Sequence, residues 1–453
     1  MILRVLESLW APFAAALAER HDVETAGIIL AERVAGGDVL IARELLPVPD
    51  EGYEVRCADR LRIGPVAFNR LVRPARERSL SVLTIHTHPQ STAPWFSHAD
   101  DAGDARLMPS LFSQMPWVHG SLVLAGETRA AVGRVWRSED EPPEGLAVHV
   151  IGEALRIHSA LRSPAADDQW WDRQKLALGA HGQAILAALH IGVVGLGGTG
   201  SVVLAQLAHL GVGRITLVDG DRVESSNVSR IIGATTHDAG VAWKVDVAAR
   251  YADQLGLGAR VRVLRGHLGN GVAASDLEGC DLLISCVDTH TPRALLNRLS
   301  YERQIPLIDL GSAFRVAPAG EVIGSAGRVV VTGPGKPCLA CWGHLDPERL
   351  RIEALPAAEQ LALAREGYID GADVAQPSVI AFNTAVAGLA VVELLRLVTG
   401  FAGAEAPPLR LGIDFATGAV RRNRVQRREG CRICSEGDAA AAADADVEGL
   451  LGD

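Results

Sequence analysis

The sequence predicts two folded domains in series, an α+β domain over residues 1–150 and an α/β domain with a parallel sheet over 168–436. Three observations carry that expectation. Up to about His149 the chain reads as short strands with two helices, the pattern of a compact mixed domain. After Trp170 strands alternate with long helices, which signals parallel pairing. Between the two, EDEPPEG at 139–145 and RSPAADDQ at 162–169 are charged, proline-bearing punctuation around one expected helix, 146–161, so 151–167 reads as a linker.

Taken in order, 2–5 reads as a strand and 6–20 as an amphipathic helix. The opening imitates a secretion signal, with a basic residue, an apolar stretch and an A-x-A-like end, but Glu7 interrupts it. The apolar runs 26–30, 39–46, 80–85, 118–124 and 130–136 read as further strands. Residues 184–213 carry no fixed charge and are long enough to span a bilayer, yet GLGGTG at their middle divides them into strand, glycine turn and helix. The last long helix is expected at 378–397, and the acidic, low-complexity 437–453 is expected to be a disordered tail. No internal repeat is present.

Composition excludes several classes. With 453 residues, 48% of them hydrophobic and 22% charged, the chain is globular with ample core. A formal charge of -10 without a lysine/arginine block argues against a nucleic-acid partner, because phosphate neutralisation needs clustered cations. The basic run 421–428 is the one candidate, and it reads better as a solvated strand or loop. Of seven cysteines, four form two C-x-x-C pairs, Cys338/Cys341 and Cys431/Cys434, and three (Cys57, Cys280, Cys286) are scattered. The odd count speaks against a disulfide framework and for a reducing, cytoplasmic setting with no membrane span.

The first domain carries HTHPQSTAPWFSHAD at 86–100. Two histidines two apart in a strand point to the same face, so His86 and His88 can share a metal. A catalytic zinc needs a third protein ligand and an open position, and Asp100 is the nearest acid. Ser97 lies one helical turn before Asp100, where its hydroxyl can donate to an oxyanion. Glu24, in VETAGIIL at the edge of a buried strand, sits where a carboxylate is costly unless used. Glu24 in E-x-x-G, then H-x-H-P, then S-x-x-D resembles the JAMM metalloprotease motif of the JAB/MPN family over about the first 140 residues. The resemblance implies that His86, His88 and Asp100 bind a catalytic zinc, that Glu24 takes a proton from the attacking water and that Ser97 steadies the tetrahedral intermediate. It also implies cleavage of peptide or isopeptide bonds after the C-terminal glycine of ubiquitin or a ubiquitin-like protein. The loop from Pro89 to Ser97 is one residue longer than the usual family spacing, which leaves Asp101 and His98 as alternative ligands.

In the second domain Gly195, Gly197 and Gly200 form G-x-G-x-x-G, where missing side chains let the backbone approach phosphates at a helix N-terminus. Asp219 follows Gly200 by nineteen residues at the end of the next strand, suited to a ribose hydroxyl. Alone, this fits a dehydrogenase equally well. Asn227, Arg230, Lys244 and Asp288 argue for a polyphosphate with magnesium instead, since a nicotinamide has no use for so many charges. The two C-x-x-C pairs suit a closed tetrahedral zinc better than redox chemistry.

WDRQ, GLGGTGS, LVDGD, SNVSR, Lys244, the VDT with Arg293 and Asn297 behind it, and the cysteine pairs together resemble the ThiF-type adenylyltransferases, Rossmann-like relatives of the ubiquitin-activating enzymes, over roughly 168–436. The resemblance implies that Gly195, Gly197, Gly198, Gly200, Asp219 and Asp221 hold ATP and that Asn227, Arg230 and Lys244 contact its phosphates. Asp288 would position magnesium for attack of a glycine carboxylate on the α-phosphate, and Cys338, Cys341, Cys431 and Cys434 would bind a structural zinc. Arg173 would reach the nucleotide of a neighbouring subunit, implying a homodimer. Relatives often carry a thioester-forming cysteine between the zinc cysteines, and none lies between Cys341 and Cys431; Cys286, two residues before Asp288, reads as core. Ile231 stands where relatives usually carry glutamine.

Both halves lead to one expected substrate, the C-terminal glycine tail of a ubiquitin-like protein, released by hydrolysis and activated with ATP. A separate conjugating enzyme or a sulfur donor would receive the activated acyl group. The alternatives are adenylation of a small-molecule or tRNA-borne carboxylate, and a ubiquitin-like-protein-binding scaffold with one inactive half.

Overall fold

The computed structural model describes residues 1–34, 36–158, 169–317, 321–365, 377–401, 403 and 410–435. The chain forms two compact units, Met1–Arg162 and Ser163–Asp453. The expected acidic tail and most of the expected linker lie outside the described residues.

The first unit runs β1 (Ile2–Leu6), α1 (Glu7–Leu17), β2 (Ala26–Arg33), β3 (Val39–Pro47), β4 (Tyr53–Arg56), β5 (Leu61–Ile63), α2 (Pro65–Glu77), β6 (Ser81–His88), α3 (His98–Phe112), β7 (His119–Ala125), β8 (Ala131–Trp136), β9 (Glu144–Ile151) and β10 (Leu155–His158). Eight strands form one sheet in the order β1-β3-β2-β6-β7-β8-β9-β10, and β4 and β5 form a separate hairpin. β9 pairs with β8 through Glu144–Leu146 and with β1 through Ala147–Ile151, so the two ends of the sheet meet. Two apolar clusters fill the faces: Trp10, Phe13 and Leu17 of α1 pack with Leu83, Ile85 and Leu122. On the other side Val72 of α2 and Met108 and Leu111 of α3 pack with Ile28, Leu30 and Val82. Burying each such side chain contributes roughly 1.5–3 kcal/mol.

Two expectations are corrected here. Among the described residues this unit has three α-helices, not two. The helix expected at 146–161 is replaced by β9 and β10. Ala147–Ile151 is rich in β-branched residues and buried almost throughout, and pairing with β1 on one side and β10 on the other satisfies its backbone, so sheet contacts override a helical reading.

The second unit runs α4 (Asp172–Ala188), β11 (His190–Val194), α5 (Gly198–His209), β12 (Arg214–Asp219), α6 (Lys244–Leu255), β13 (Arg260–Arg265), the short β14 (His267–Leu268) and β15 (Gly271–Val272), then β16 (Leu282–Ser285) and α7 (His290–Glu302). It continues with β17 (Leu307–Val316), β18 (Val322–Thr332), α8 (Pro347–Glu353), α9 (Ala357–Arg365), α10 (Ile380–Thr399), β19 (Arg410–Asp414) and β20 (Val420–Asn423). The sheet order is β13-β12-β11-β16-β17-β18-β19-β20. The first five strands are parallel and the last three add antiparallel. Buried on both faces, β11, β12 and β16 read as continuous apolar runs rather than alternating ones.

The chain winds outward from β11 to β12 and β13 and then returns to β16 on the other side, which opens a crevice at the carboxyl ends of β11 and β16. Residues 184–213 are strand, glycine turn and helix as expected. α10 is long and apolar enough to cross a membrane by length and composition, yet it packs on α5, β17 and β18. The basic run from 421 begins on the fully exposed edge strand β20.

Candidate active sites

In the first unit β6 ends with its side chains alternating across the sheet, so His86 and His88 face one way and buried Thr87 the other. Thr87 fixes the neighbouring segment, accepting from Thr25 N at 2.8 Å through its hydroxyl and donating its own N–H to Thr25 O at 2.8 Å. That pairing brings Glu24, two residues before β2, alongside the histidines. Arg56 holds the same segment from the β4–β5 hairpin, donating to Glu24 O at 3.1 Å and to Thr25 Oγ1 at 2.8 Å.

Asp100 arrives from α3. Ser97 is the helix N-cap, its Oγ accepting from Asp100 N at 3.2 Å while Asp100 Oδ2 accepts from Ser97 N at 2.6 Å. His86 Nε2 lies 2.9 Å from Asp100 Oδ1 and His88 Nε2 3.6 Å from Oδ2. All three ligand atoms lie within 4.8 Å of one another. Two imidazoles and one carboxylate so placed fit the three protein ligands of a catalytic zinc.

Burial opposes ionisation of Asp100, but hydrogen bonds from His86 and His88 outweigh it and hold its carboxyl below the usual range. Glu24 is pushed the other way: only 7% exposed, it is raised by burial, which the nearby histidines only partly offset. A raised carboxylate beside a metal cluster is suited to general-base work. Ser97, used as an acceptor in its cap, still has its proton to donate.

The alternative ligands are placed elsewhere. His98 is fully exposed, and Asp101 pairs with Arg134 at 2.6 Å. Arg134, from β8, also pairs with buried Asp104 at 2.7 Å, which Ser121 supports at 2.5 Å, and its guanidinium stacks 3.9 Å from the Phe96 ring centroid. This clamp holds the first turn of α3, and Asp100 with it, onto the sheet. Trp95 stands edge-on to His88 at 4.9 Å and is more than half exposed.

In the second unit the glycine turn between β11 and α5 is forced by space. Gly195 has φ +89°, and a Cβ on Gly200 would meet Gly195 O at 1.8 Å. Gly197 faces open space, where a phosphate can approach the start of α5. Asp219 ties the turn to β12: its Oδ2 accepts from Leu196 N at 2.6 Å and its Oδ1 from Asp221 N at 2.8 Å. Burial raises its pKa, and the Lys244 charge opposes this. Lys244 Nζ rests on Asp221 at 2.6 Å, and Arg230 donates to Ser226 O at 2.7 Å. Asn227 is buried and donates to Ser226 Oγ at 3.2 Å.

Gly195, Gly197, Gly198, Asp219, Asp221, Asn227, Arg230, Lys244 and Asp288 line one cleft of about 760 Å³, and Gly200 is not part of its lining. Asp288 does not cap α7, whose first N–H groups go to Glu353 of α8, from His290 at 2.9 Å and Thr291 at 2.6 Å. Its carboxylate is exposed beside the cleft. Ile231 packs with Val223 and Val247 at the cleft's edge. Arg173, in the first turn of α4, is exposed and does not line this chain's cleft. Cys286 corrects an expectation: it follows β16 and lines the cleft instead of sitting in the core, although burial pushes its thiol up, away from the nucleophilic thiolate.

The four paired cysteines converge, with Sγ–Sγ distances of 3.8 Å for Cys338–Cys341, 3.6 Å for Cys338–Cys431 and 3.5 Å for Cys341–Cys434. Thiolates about 2.3 Å from a tetrahedral zinc lie about 3.8 Å apart, so the cluster fits that ion. Asn297 accepts from Leu339 N at 2.9 Å and joins the cluster to α7. Sequence reading missed Arg134, Arg56, Glu353, Asp309 and Arg328, which act through partners distant in sequence, and His344, which lines the cleft beside Arg328.

Comparison with known proteins follows the same division. The ThiF family model matches residues 171–433, and the model for prokaryotic homologs of the JAB domain matches 6–139. The chain is 29% identical over 284 residues to an adenylyltransferase and sulfurtransferase uba4 of Aspergillus niger, covering 61% of this chain and 55% of that one. It is 28% identical over 257 residues to a molybdopterin-synthase adenylyltransferase of Salmonella typhimurium, covering 56% and 90%. A solved structure of E. coli MccB is similar at 18% identity and a TM-score of 0.48, covering 61% and 77%. The chain spans about half the length of the Aspergillus relative.

Proposed function

The chain belongs to the ThiF family, with a JAB-like domain ahead of the ThiF domain, and from that premise we propose that it adenylates the C-terminal glycine of a ubiquitin-like protein and hydrolyses bonds made at that glycine. The observation that carries this reading is the cleft at the strand switch point, which gathers the glycine turn, Asp219, Lys244 and Asp288 around a volume suited to a nucleotide and an extended tail.

In the adenylating half, open backbone at Gly197 receives phosphate, Arg230 and Lys244 neutralise it and Asn227 donates to it. Lys244 and Arg230 now rest on Asp221 and Ser226, and they exchange those partners for phosphate oxygens when MgATP enters. Asp288 would hold magnesium, which when bound supplies charge to the phosphates; a glycine carboxylate oxygen attacks the α-phosphorus, and pyrophosphate leaves with the electron pair of the broken bond. With no cysteine between Cys341 and Cys431, the acyl-adenylate passes to an external nucleophile, a sulfur donor or a conjugating enzyme. The name of the Aspergillus relative, an adenylyltransferase and sulfurtransferase, supports sulfur transfer.

In the hydrolytic half, His86, His88 and Asp100 would hold zinc, which when bound polarises a carbonyl and acidifies water. Glu24 accepts the proton of the attacking water and returns it to the leaving nitrogen, and Ser97 donates to the developing oxyanion. The exposed Trp170 and Leu176 on either side of Arg173 favour a second copy of the chain docking there, with Arg173 acting across the dimer. The free thiols of the four-cysteine cluster and of Cys57 suit the cytoplasm.

The test is the intact mass of a ubiquitin-like protein encoded beside the gene, incubated with the enzyme with and without MgATP. Trimming to a terminal glycine without ATP, and an adenylate only with ATP, are expected. Unchanged mass under both conditions overturns the reading. For the dimer, mixing inactive Arg173→Ala with inactive Asp288→Ala should restore part of the adenylation; no recovery rules out action across subunits.

A further inference from the structure

The cleft extends beyond what a nucleotide uses. Its glycine turn follows β11 and Asp288 follows β16, but Arg328 lies on β18 and His344 follows the Cys338/Cys341 pair after it. With adjacent strands about 4.8 Å apart, Arg328 stands about 14 Å across the sheet from the strand of the glycine turn and about 10 Å from that of Asp288.

This far wall is built as though a partner were missing. Asp309, fully buried, serves two guanidiniums at once, Arg293 at 3.0 Å and Arg328 at 2.9 Å, and also accepts from Ser285 at 2.8 Å. Arg328 Nε and His344 Nε2 are buried without a hydrogen-bond partner, as is Nε of Arg410 nearby. Three guanidiniums, Arg328, Arg410 and Arg293, act on His344 against the one carboxylate of Asp309. A half-buried surplus of positive charge is costly without an anion.

The floor in front of it is open. Arg328 pairs across β17 with Gly311 and across β19 with Gly412, and a Cβ at either glycine would meet no atom within 4 Å. Orphaned donors, surplus charge and a bare floor in one wall are the features of an anion subsite, and its distance from the glycine turn separates it from the polyphosphate.

We infer that Arg328 and His344 form a carboxylate-binding subsite that receives an acidic side chain two or three residues before the C-terminal residue of the polypeptide being activated. An extended chain advances about 3.3 Å per residue, so two or three residues bridge the about 10 Å between the reacting carboxyl and this wall. The inference rests on the adenylation reading and gives it a sequence preference.

The experiment uses the full chain and synthetic hexapeptides ending in Glu-Gly-Gly or Gln-Gly-Gly, with a second pair carrying the acid one residue earlier. Peptide binding is followed by fluorescence anisotropy with a non-hydrolysable ATP analogue and magnesium, and activation by ATP–pyrophosphate exchange. One charge-assisted contact should favour the better-placed Glu peptide about tenfold over its Gln counterpart. Arg328→Lys, which keeps a cation beside Asp309, and His344→Gln should each reduce that preference while MgATP alone binds as before.

Equal binding of Glu and Gln peptides overturns the subsite and leaves adenylation standing. Weaker MgATP binding in the variants overturns it too, by giving the wall to the nucleotide. Arg328-dependent binding of the Glu peptide without exchange supports the subsite and sinks the adenylation reading for such tails.

Discussion

The two sites solve opposite problems. In the first unit three candidate ligands converge within 4.8 Å, fixed by a strand pair, a capping box and the Arg134 clamp. In the second, charged groups are spread over a cleft of about 760 Å³ and rest on one another, Lys244 on Asp221 and Arg328 on Asp309. A small ion of fixed coordination rewards rigid convergence. A large, jointed ligand instead rewards cations held on local partners that can be exchanged when it arrives. Perturbation should therefore be abrupt in the first and graded in the second.

The largest effect is expected at the cysteine cluster, the one candidate metal site of the second unit among the described residues. Structural zinc in small domains contributes on the order of 10–16 kcal/mol, comparable to a domain's whole stability. Cys434→Ser should abolish the second unit's cooperative melting in calorimetry and lower bound zinc, leaving the first unit's transition in place. An unchanged second transition would mean that the cluster does not carry the fold.

Next come the reacting groups, which should separate the halves. Glu24→Gln should lower hydrolysis about 10²–10⁴-fold with zinc retained and adenylation unaffected. Asp288→Ala should remove pyrophosphate exchange and spare hydrolysis. If either substitution silences both activities, the independence of the two sites fails.

Arg134→Leu probes rigidity alone, because Arg134 touches no metal ligand. Outer-shell partners of metal ligands typically account for 10–100-fold in metal affinity. Equilibrium dialysis should show zinc weakened by about that factor, and Arg134→Lys, lacking the planar fork that serves both Asp101 and Asp104, should recover only part. Wild-type zinc affinity in Arg134→Leu would show that the capping box suffices to place Asp100.

How much of this was legible in the sequence follows from range. His86, His88, Ser97 and Asp100 lie within fifteen residues, and the glycine turn within six, so local periodicity exposes both. Arg134 meets Asp104 across 30 residues and Arg328 meets Asp309 across 19, contacts that exist only once strands have paired. The segment 146–161 misleads for the same reason: its apolar residues suit a helix or a buried strand, and only β1, more than 140 residues earlier, decides.

The smallest expected effect is a pH dependence of stability in the second unit, and it tests the graded character of the cleft. His344 is pushed down to about 4, chiefly by burial and then by the charge of Arg328. Its unfolded value is near 6.5. Between the two the unfolded chain binds the extra proton and the folded chain does not, so stability rises with pH through that window and is lost as pH falls from 6.5 towards 4. His344→Gln should flatten this part of the profile in urea titrations of the second unit. An acidic peptide seated at Arg328 should raise the His344 pKa and narrow the same window, because a neighbouring carboxylate favours the imidazolium. A profile unmoved by the substitution would mean that His344 is solvated, which would also remove it from the far wall of the cleft.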